Sequence, residues 1–275
     1  MLTNHGIPED LMRDVLKVAE EFIQLLVEDM ENSSSNDPGK KCRLYSNTGF
    51  DEEKVHLWRD TFRFSCNTLK DHVEEWPNNP TRLREVIGDY VARVREMSLL
   101  LLDLIREGLG LESGYFEGDL SKDQLMNFNY YPPCPDPSLT LGLPKHSDPQ
   151  LITILNQGTT PGLQVLKDEQ WLALDPTPNA FVVNVGHTLQ VISNGMLRSG
   201  DHRVVTNTYA ARTTVGCFIH PSSDCQVQPA KELIKRCSIP LYKTFTYGEF
   251  VKNYVKDNLD GNSVLKRYEL SQAQD

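Results

Sequence analysis

Between residue 8 and about residue 30, apolar side chains recur at Leu11, Val15, Val18, Phe22, Leu25 and Leu26, the three-and-four spacing of one helix face. A second stripe, Val86, Tyr90, Val94, Met97, Leu101, Leu104 and Ile105, predicts a longer helix that Gly108 and Gly110 stop. Asn79 reads as its N-cap and Pro80 as its first helical residue. Asn32 to Lys41 is polar and rich in turn formers, which predicts a loop. From about Leu125 the period shortens. The runs Leu151–Leu155, Gly162–Leu166, Ala180–Val185, Leu189–Ile192 and Thr214–Ile219 are rich in β-branched residues, and Gly, Pro and Asn clusters separate them. Short strands at such spacing argue for a barrel or double-sheet jelly roll. Thr246 to Val255 returns to helical periodicity. The pattern predicts an α+β fold, with a helical region over 1–120, a jelly-roll domain over 121–228 and a C-terminal helical extension over 229–275.

Composition narrows the partners. The 275 residues carry 39% hydrophobic and 24% charged side chains, values of an ordinary globular protein. A net charge of −10 without any Lys/Arg run argues against nucleic acid and anionic membranes. The longest apolar stretch, Leu99–Leu102, is far too short to span a bilayer. The opening Met1-Leu2-Thr3-Asn4-His5-Gly6 lacks the basic-then-apolar pattern of a signal peptide. Cys42, Cys66, Cys134, Cys217, Cys225 and Cys237 show no paired spacing, so a reduced, cytoplasmic setting without a zinc site is expected. A monomer acting on a small molecule is the default expectation.

Candidate chemistry concentrates in the second half. His146 and Asp148 stand two apart, so on an extended segment both point to one side and can grip one ion. His202, well downstream, supplies a third ligand from a neighbouring strand. Two imidazoles and one carboxylate on one face of a metal leave open positions, the facial arrangement of non-haem Fe(II) oxygenases. Ten residues beyond the distal histidine, Arg212 and Thr214 place a guanidinium and a hydroxyl on one strand face, a clamp for a carboxylate. Triad and clamp together imply an iron enzyme with an acidic organic cosubstrate.

Further motifs appear in order: Asn129-Tyr130-Tyr131-Pro132-Pro133-Cys134-Pro135, Leu141-Gly142, Pro161-Gly162-Leu163-Gln164-Val165, Trp171, Val183-Asn184-Val185-Gly186, Ser193-Asn194-Gly195 and His202-Arg203-Val204. With the triad and clamp, they make the whole chain resemble the plant 2-oxoglutarate- and Fe(II)-dependent dioxygenases, in particular hyoscyamine 6β-hydroxylase-like and flavonol synthase-like members. Asn4-His5-Gly6-Ile7-Pro8 resembles their helical N-terminal region. The resemblance implies that His146, Asp148 and His202 hold Fe(II), with O2 as cosubstrate and ascorbate as helper. It implies that Asn129, Tyr131, Arg212 and Thr214 bind 2-oxoglutarate, which leaves as succinate and CO2. The implied reaction hydroxylates, desaturates or epoxidises a small plant specialised metabolite such as an alkaloid or flavonoid. Asn127, Phe218 and His220 fall at substrate-contacting positions of such proteins, and both pocket lining and core packing remain open for them.

Departures from the family pattern are few. Thr214 stands where many members carry serine, and it keeps the hydroxyl. Gly186-His187 replaces a usual Gly-Asp, and His187 reads as a solvent-facing turn residue. The chain starts where such proteins are already one strand and one helix into the fold, so an N-terminally truncated member is expected, with a catalytically silent ligand-binding form as the alternative. His5, His56 and His72 read as structural. Cys134 and Cys217 lack a basic neighbour that would activate a thiolate. Arg203 is expected to point away from the metal.

Overall fold

The computed structural model describes residues 1–28, 42–45, 57–66, 76–237, 239–257 and 261–270. The Asn32–Lys41 loop, His56 and His72 lie outside them. Helix α1 (Glu9–Glu28) buries Met12, Val15, Val18, Ala19, Phe22 and Ile23, the expected stripe turned so that Met12 rather than Leu11 faces inward. Helix α2 (Leu83–Leu109) buries Ile87, Tyr90, Val91, Val94 and Met97, while Leu104 faces solvent. Gly110 ends it in the left-handed region at φ 65°, where glycine carries no Cβ penalty. The helix begins later than the sequence predicts. Pro80 lies in a turn whose carbonyl accepts from the Leu83 amide, so Asn79 caps nothing and the helix starts at Leu83.

Among the described residues, ten strands form two sheets. The first has the order β1 (Cys42–Tyr45), β2 (Asp60–Ser65), β3 (Asp123–Tyr131), β10 (Arg212–His220), β5 (Ile152–Asn156), β8 (Val182–Val185). The second runs β4 (Leu141–His146), β9 (His202–Val205), β6 (Leu163–Lys167), β7 (Gln170–Ala173). All these pairings are antiparallel, and the sheets pack as a jelly roll. Strands β1 and β2 come from the region expected to be helical. In β2 the alternation Thr61-Phe62-Arg63-Phe64-Ser65 puts two phenylalanines on one face and polar residues on the other.

That alternation separates two environments. The outer face of the first sheet presents Phe62, Phe64, Met126, Phe128, Ile152, Ile154, Val215, Cys217 and Ile219 to α1 and α2. Phe22 of α1 packs edge-on against Phe62 at 4.7 Å between ring centroids. The inner face carries Thr61 and Arg63, Asn127 and Asn129, Thr153, and Arg212 and Thr214. Tyr131, Leu163, Val182 and Val204 close the space between the sheets.

The run Leu189–Ile192, expected as a strand, is the helix α3 (His187–Ile192). A short apolar run carries no periodicity that distinguishes the two states. The bonding of its first turn to the segment after β4 decides for helix, and Leu189, Val191 and Ile192 are all buried. Two short strands, β11 (Gln226–Val227) and β12 (Phe245–Thr246), pair beside the barrel. Helices α4 (Lys231–Cys237), α5 (Tyr247–Lys256) and α6 (Gly261–Lys266) follow the barrel. Helix α5 matches its predicted span; Thr246 caps it by accepting from the Glu249 amide.

Candidate metal centre

The antiparallel register of β4 and β9 sets His146 opposite His202, with ring centroids 4.1 Å apart. Asp148 follows two residues after the end of β4 and turns its Oδ1 toward both, 3.9 Å from His146 Nε2 and 3.8 Å from His202 Nε2. One ligand atom from each lies within 4.8 Å of the others, and all three residues are buried. Among the described residues this is the one cluster of its kind.

Each ligand is held from behind. His146 Nδ1 lies 2.9 Å from the Pro144 carbonyl and His202 Nδ1 lies 3.1 Å from the Gly200 carbonyl. A carbonyl only accepts, so each Nδ1 carries the hydrogen and each Nε2 presents its lone pair to the centre. Asp148 Oδ2 accepts from Thr153 Oγ1 at 2.7 Å and from Asn184 Nδ2 at 3.2 Å, which leaves Oδ1 for the centre. Burial and the neighbouring His202 push the His146 imidazole down to about 3, so it is a neutral donor at physiological pH. Burial pushes the Asp148 carboxyl up, but His202, His146, Thr153 and Asn184 together hold it below the ordinary carboxylate range. Two imidazole nitrogens and one carboxylate oxygen, oriented before any ion arrives, suit a divalent transition metal.

The second half of the site lies on β10 and β3. Arg212 is 2% exposed, and among the described residues no carboxylate pairs with it. Its Nε donates to the Thr160 carbonyl at 3.1 Å, its Cζ lies 5.2 Å from the Tyr131 ring centroid, and its Nη2 has no partner. Burial draws the guanidinium down from its ordinary value and Tyr131 opposes that shift. Arginine nevertheless stays charged at neutral pH. Gly162 gives the side chain room, because a Cβ there would stand 3.1 Å from Arg212 Cδ. A buried cation without a counter-charge is costly, and an anion beside Arg212 would offset that cost. Beside it, Thr61 Oγ1 donates to Asn129 Oδ1 at 3.0 Å, and Asn129 Nδ2 donates to Thr214 Oγ1 at 3.2 Å. Because Thr214 Oγ1 accepts in that chain, its own hydrogen remains available to donate.

The remaining sequence candidates also fall on the inner face. Asn127 Oδ1 accepts from Arg63 Nε at 3.1 Å. Phe218 leans over Gly216, and His220 stacks on Tyr247 of α5 at 5.3 Å. Burial moves the His220 imidazole below its ordinary value. Sequence reasoning missed Thr61, Arg63, Thr153, Asn184 and Tyr247. The signals for the first four were a polar residue at every second position of β2 and single polar residues inside the apolar runs of β5 and β8.

One expectation is overturned. His187 is not at the surface: it is fully buried at the start of α3, with Nε2 2.7 Å from Ser147 Oγ. The backbone that brings it there is a glycine, Gly186, packed against the segment that follows the ligands. Arg203 does point away from the centre, over the Trp171 ring at 4.2 Å. Cys134 and Cys217 are buried, and burial pushes the Cys217 thiol up to about 12, so it forms no thiolate at neutral pH. His5 packs on Phe181, with Nε2 3.3 Å from the Asn179 carbonyl.

Comparison with known proteins gives a consistent picture. Residues 122–221 match the 2OG-Fe(II) oxygenase superfamily. Residues 1–82 match the N-terminal region described as that of non-haem dioxygenases in morphine synthesis. Flavanone 3-dioxygenase 2 of Oryza sativa subsp. japonica is 42% identical over 97% of this chain and 79% of its own length. Hyoscyamine 6-dioxygenase of Hyoscyamus niger is 41% identical over 98% of this chain and 81% of its own. Among solved structures, JOX2 in complex with 2OG, Fe and JA superposes with a TM-score of 0.88 at 30% identity, covering 98% of this chain and 81% of that one.

Proposed function

From the premise that this chain belongs to the 2OG-Fe(II) oxygenase superfamily and is a 2-oxoglutarate-dependent non-haem iron dioxygenase, we propose which residues carry the chemistry and what class of substrate it takes. His146, Asp148 and His202 hold the Fe(II). Arg212 binds the distal carboxylate of 2-oxoglutarate, helped by Thr214 and the Tyr131 phenol, while Asn129 keeps the Thr214 hydroxyl in place. The observation that carries this reading is the buried Arg212 guanidinium with an unpartnered Nη2 on the inner face of one sheet, while the other sheet supplies the histidines of a pre-oriented triad.

When bound, the iron and 2-oxoglutarate activate O2 and oxidise the substrate, and 2-oxoglutarate leaves as succinate and CO2. The chain's own residues orient and exclude. The Nδ1 contacts to Pro144 and Gly200 keep both imidazoles facing the centre, and Thr153 and Asn184 keep Asp148 from turning. Tyr131, Leu163, Val182 and Val204 shut water out between the sheets, which strengthens the Arg212–carboxylate interaction.

The substrate is a small plant specialised metabolite, bound near Asn127, Phe218 and His220. Relatives named for a flavanone and for hyoscyamine support that class. Hydroxylation, desaturation and epoxidation use the same residues. The acting unit is a monomer in the cytoplasm, a reading that suits the free thiols Cys66, Cys134, Cys217 and Cys225. No helix of the described residues is long and apolar enough to cross a membrane. A silent ligand-binding form is not favoured, since the relatives matched over nearly the full chain are dioxygenases and the three converging ligands are all present.

Succinate formation tests the reading. Fe(II)-loaded protein with 2-oxoglutarate and O2 is expected to release succinate slowly without substrate and faster with a matching metabolite. Absence of any Fe(II)-dependent succinate would contradict it.

A further inference from the structure

Ser147 sits between two ligands of the triad, and its side chain is completely buried. Alternation along an extended segment points it away from the side that His146 and Asp148 face. There it meets His187, whose Nε2 lies 2.7 Å from Ser147 Oγ. The same residue reaches the ligand segment a second time, through its backbone amide, which donates to the Asp148 carbonyl at 2.7 Å. On either side of it the contact continues. Gly186 N donates to the Leu151 carbonyl at 2.8 Å, and Thr188 Oγ1 donates to the Pro149 carbonyl at 2.7 Å. The His187 ring is fixed on its other side by Phe250 of α5, edge-on at 6.2 Å between centroids.

We propose that His187 is a positioning residue for the metal centre, acting through Ser147 to fix the peptide between the two ligands. This rests on the reading of His146, Asp148 and His202 as the iron site. Each ligand side chain has its own partner, but those partners fix rotation about side-chain bonds. They do not act on the Ser147 residue itself, which lies between the β4 pairing at His146 and the backbone bond from His187 to the Asp148 carbonyl. The Ser147–His187 bond opposes a tilt there, because Ser147 cannot swing without leaving a buried hydroxyl and a buried ring nitrogen unmatched. A tilt of this peptide displaces His146 and Asp148 relative to each other, so the Ser147–His187 bond holds their separation to the value one ion requires.

Anaerobic Fe(II) titration in the presence of 2-oxoglutarate tests the proposal, with Tm of the metal-free protein measured in parallel. The variants are Ser147→Ala, His187→Phe, which keeps an aromatic ring against Phe250, the two together, and His187→Gln, which keeps a polar nitrogen near the Nε2 position. Each of the first two is expected to weaken Fe(II) binding about tenfold, the double variant to be no weaker than either, and His187→Gln to stay within about threefold of the unsubstituted protein. Unchanged Fe(II) affinity in Ser147→Ala, the smallest of these changes, overturns the proposal. So do losses that add in the double variant, or that track the loss of Tm. A flat titration of the unsubstituted protein instead contradicts the iron reading itself, and the two failures are thereby told apart.

Discussion

Arg212 is a cation taken out of water with one guanidinium nitrogen unmatched, and that state is tolerable only if an anion completes it. Replacing it with glutamine should therefore have opposite effects on binding and folding. The apparent affinity for 2-oxoglutarate should fall about a hundredfold, which corresponds to about 3 kcal/mol for loss of a buried charge pair. Fe(II) affinity should hold, and Tm of the ligand-free protein should stay level or rise, because a costly buried charge is gone. A fall in Tm with normal 2-oxoglutarate affinity would mark Arg212 as a structural residue. The residues that carry the centre were legible to different degrees. The His146-x-Asp148 and Arg212-x-Thr214 pairs announce themselves, since a two-residue step keeps both side chains on one strand face. Thr153 and Asn184 do not, because one polar residue in an apolar strand is as often a surface position as a support for Asp148. His187 was misread for a similar reason. A polar residue after glycine suggests an exposed turn, and only the tertiary contact with Ser147 shows that it is buried.

At the scale of elements, α3 and the segment after β4 are docked so closely that one extra atom cannot fit. A Cβ at Gly186 would stand 1.9 Å from the Gln150 carbonyl oxygen and 3.1 Å from that of Asp148. Gly186→Ala should therefore displace α3 or the ligand segment, at a cost of more than about 3 kcal/mol by overpacking against backbone. Urea unfolding of the metal-free protein measures the loss, and normal stability would refute this account of the junction. The same element shows where periodicity stops being informative. Leu189-Gln190-Val191-Ile192 is too short and too apolar to declare its period, and the bonds of its first turn, not propensity, make it a helix. Helices α1 and α5 were readable because they are long enough to show a stripe. Strand β2 carries a clear two-residue alternation, yet it lies in a charged neighbourhood where a helical region was expected.

For the molecule as a whole, one sheet serves two purposes. Its outer face is an apolar platform for α1 and α2, so it is rigid, and its inner face is thereby free to be polar. Support under that polar surface keeps Arg212 and Thr214 in place, together with the Thr153 and Asn184 side chains that hold Asp148, before any ligand arrives. The jelly-roll architecture was legible from strand spacing, whereas the register that sets His146 against His202 emerges only from the pairing of β4 with β9. The central claim, one iron held by the triad and one 2-oxoglutarate held by Arg212, is tested most directly without oxygen or substrate. Fe(II) and then 2-oxoglutarate are added to the purified protein, and the visible metal-to-ligand charge-transfer band is followed. A saturable band with one equivalent of each, abolished in His202→Ala and shifted to much higher 2-oxoglutarate concentration in Arg212→Ala, is the predicted result. A folded protein that gives no band, or a band indifferent to both substitutions, would contradict the account.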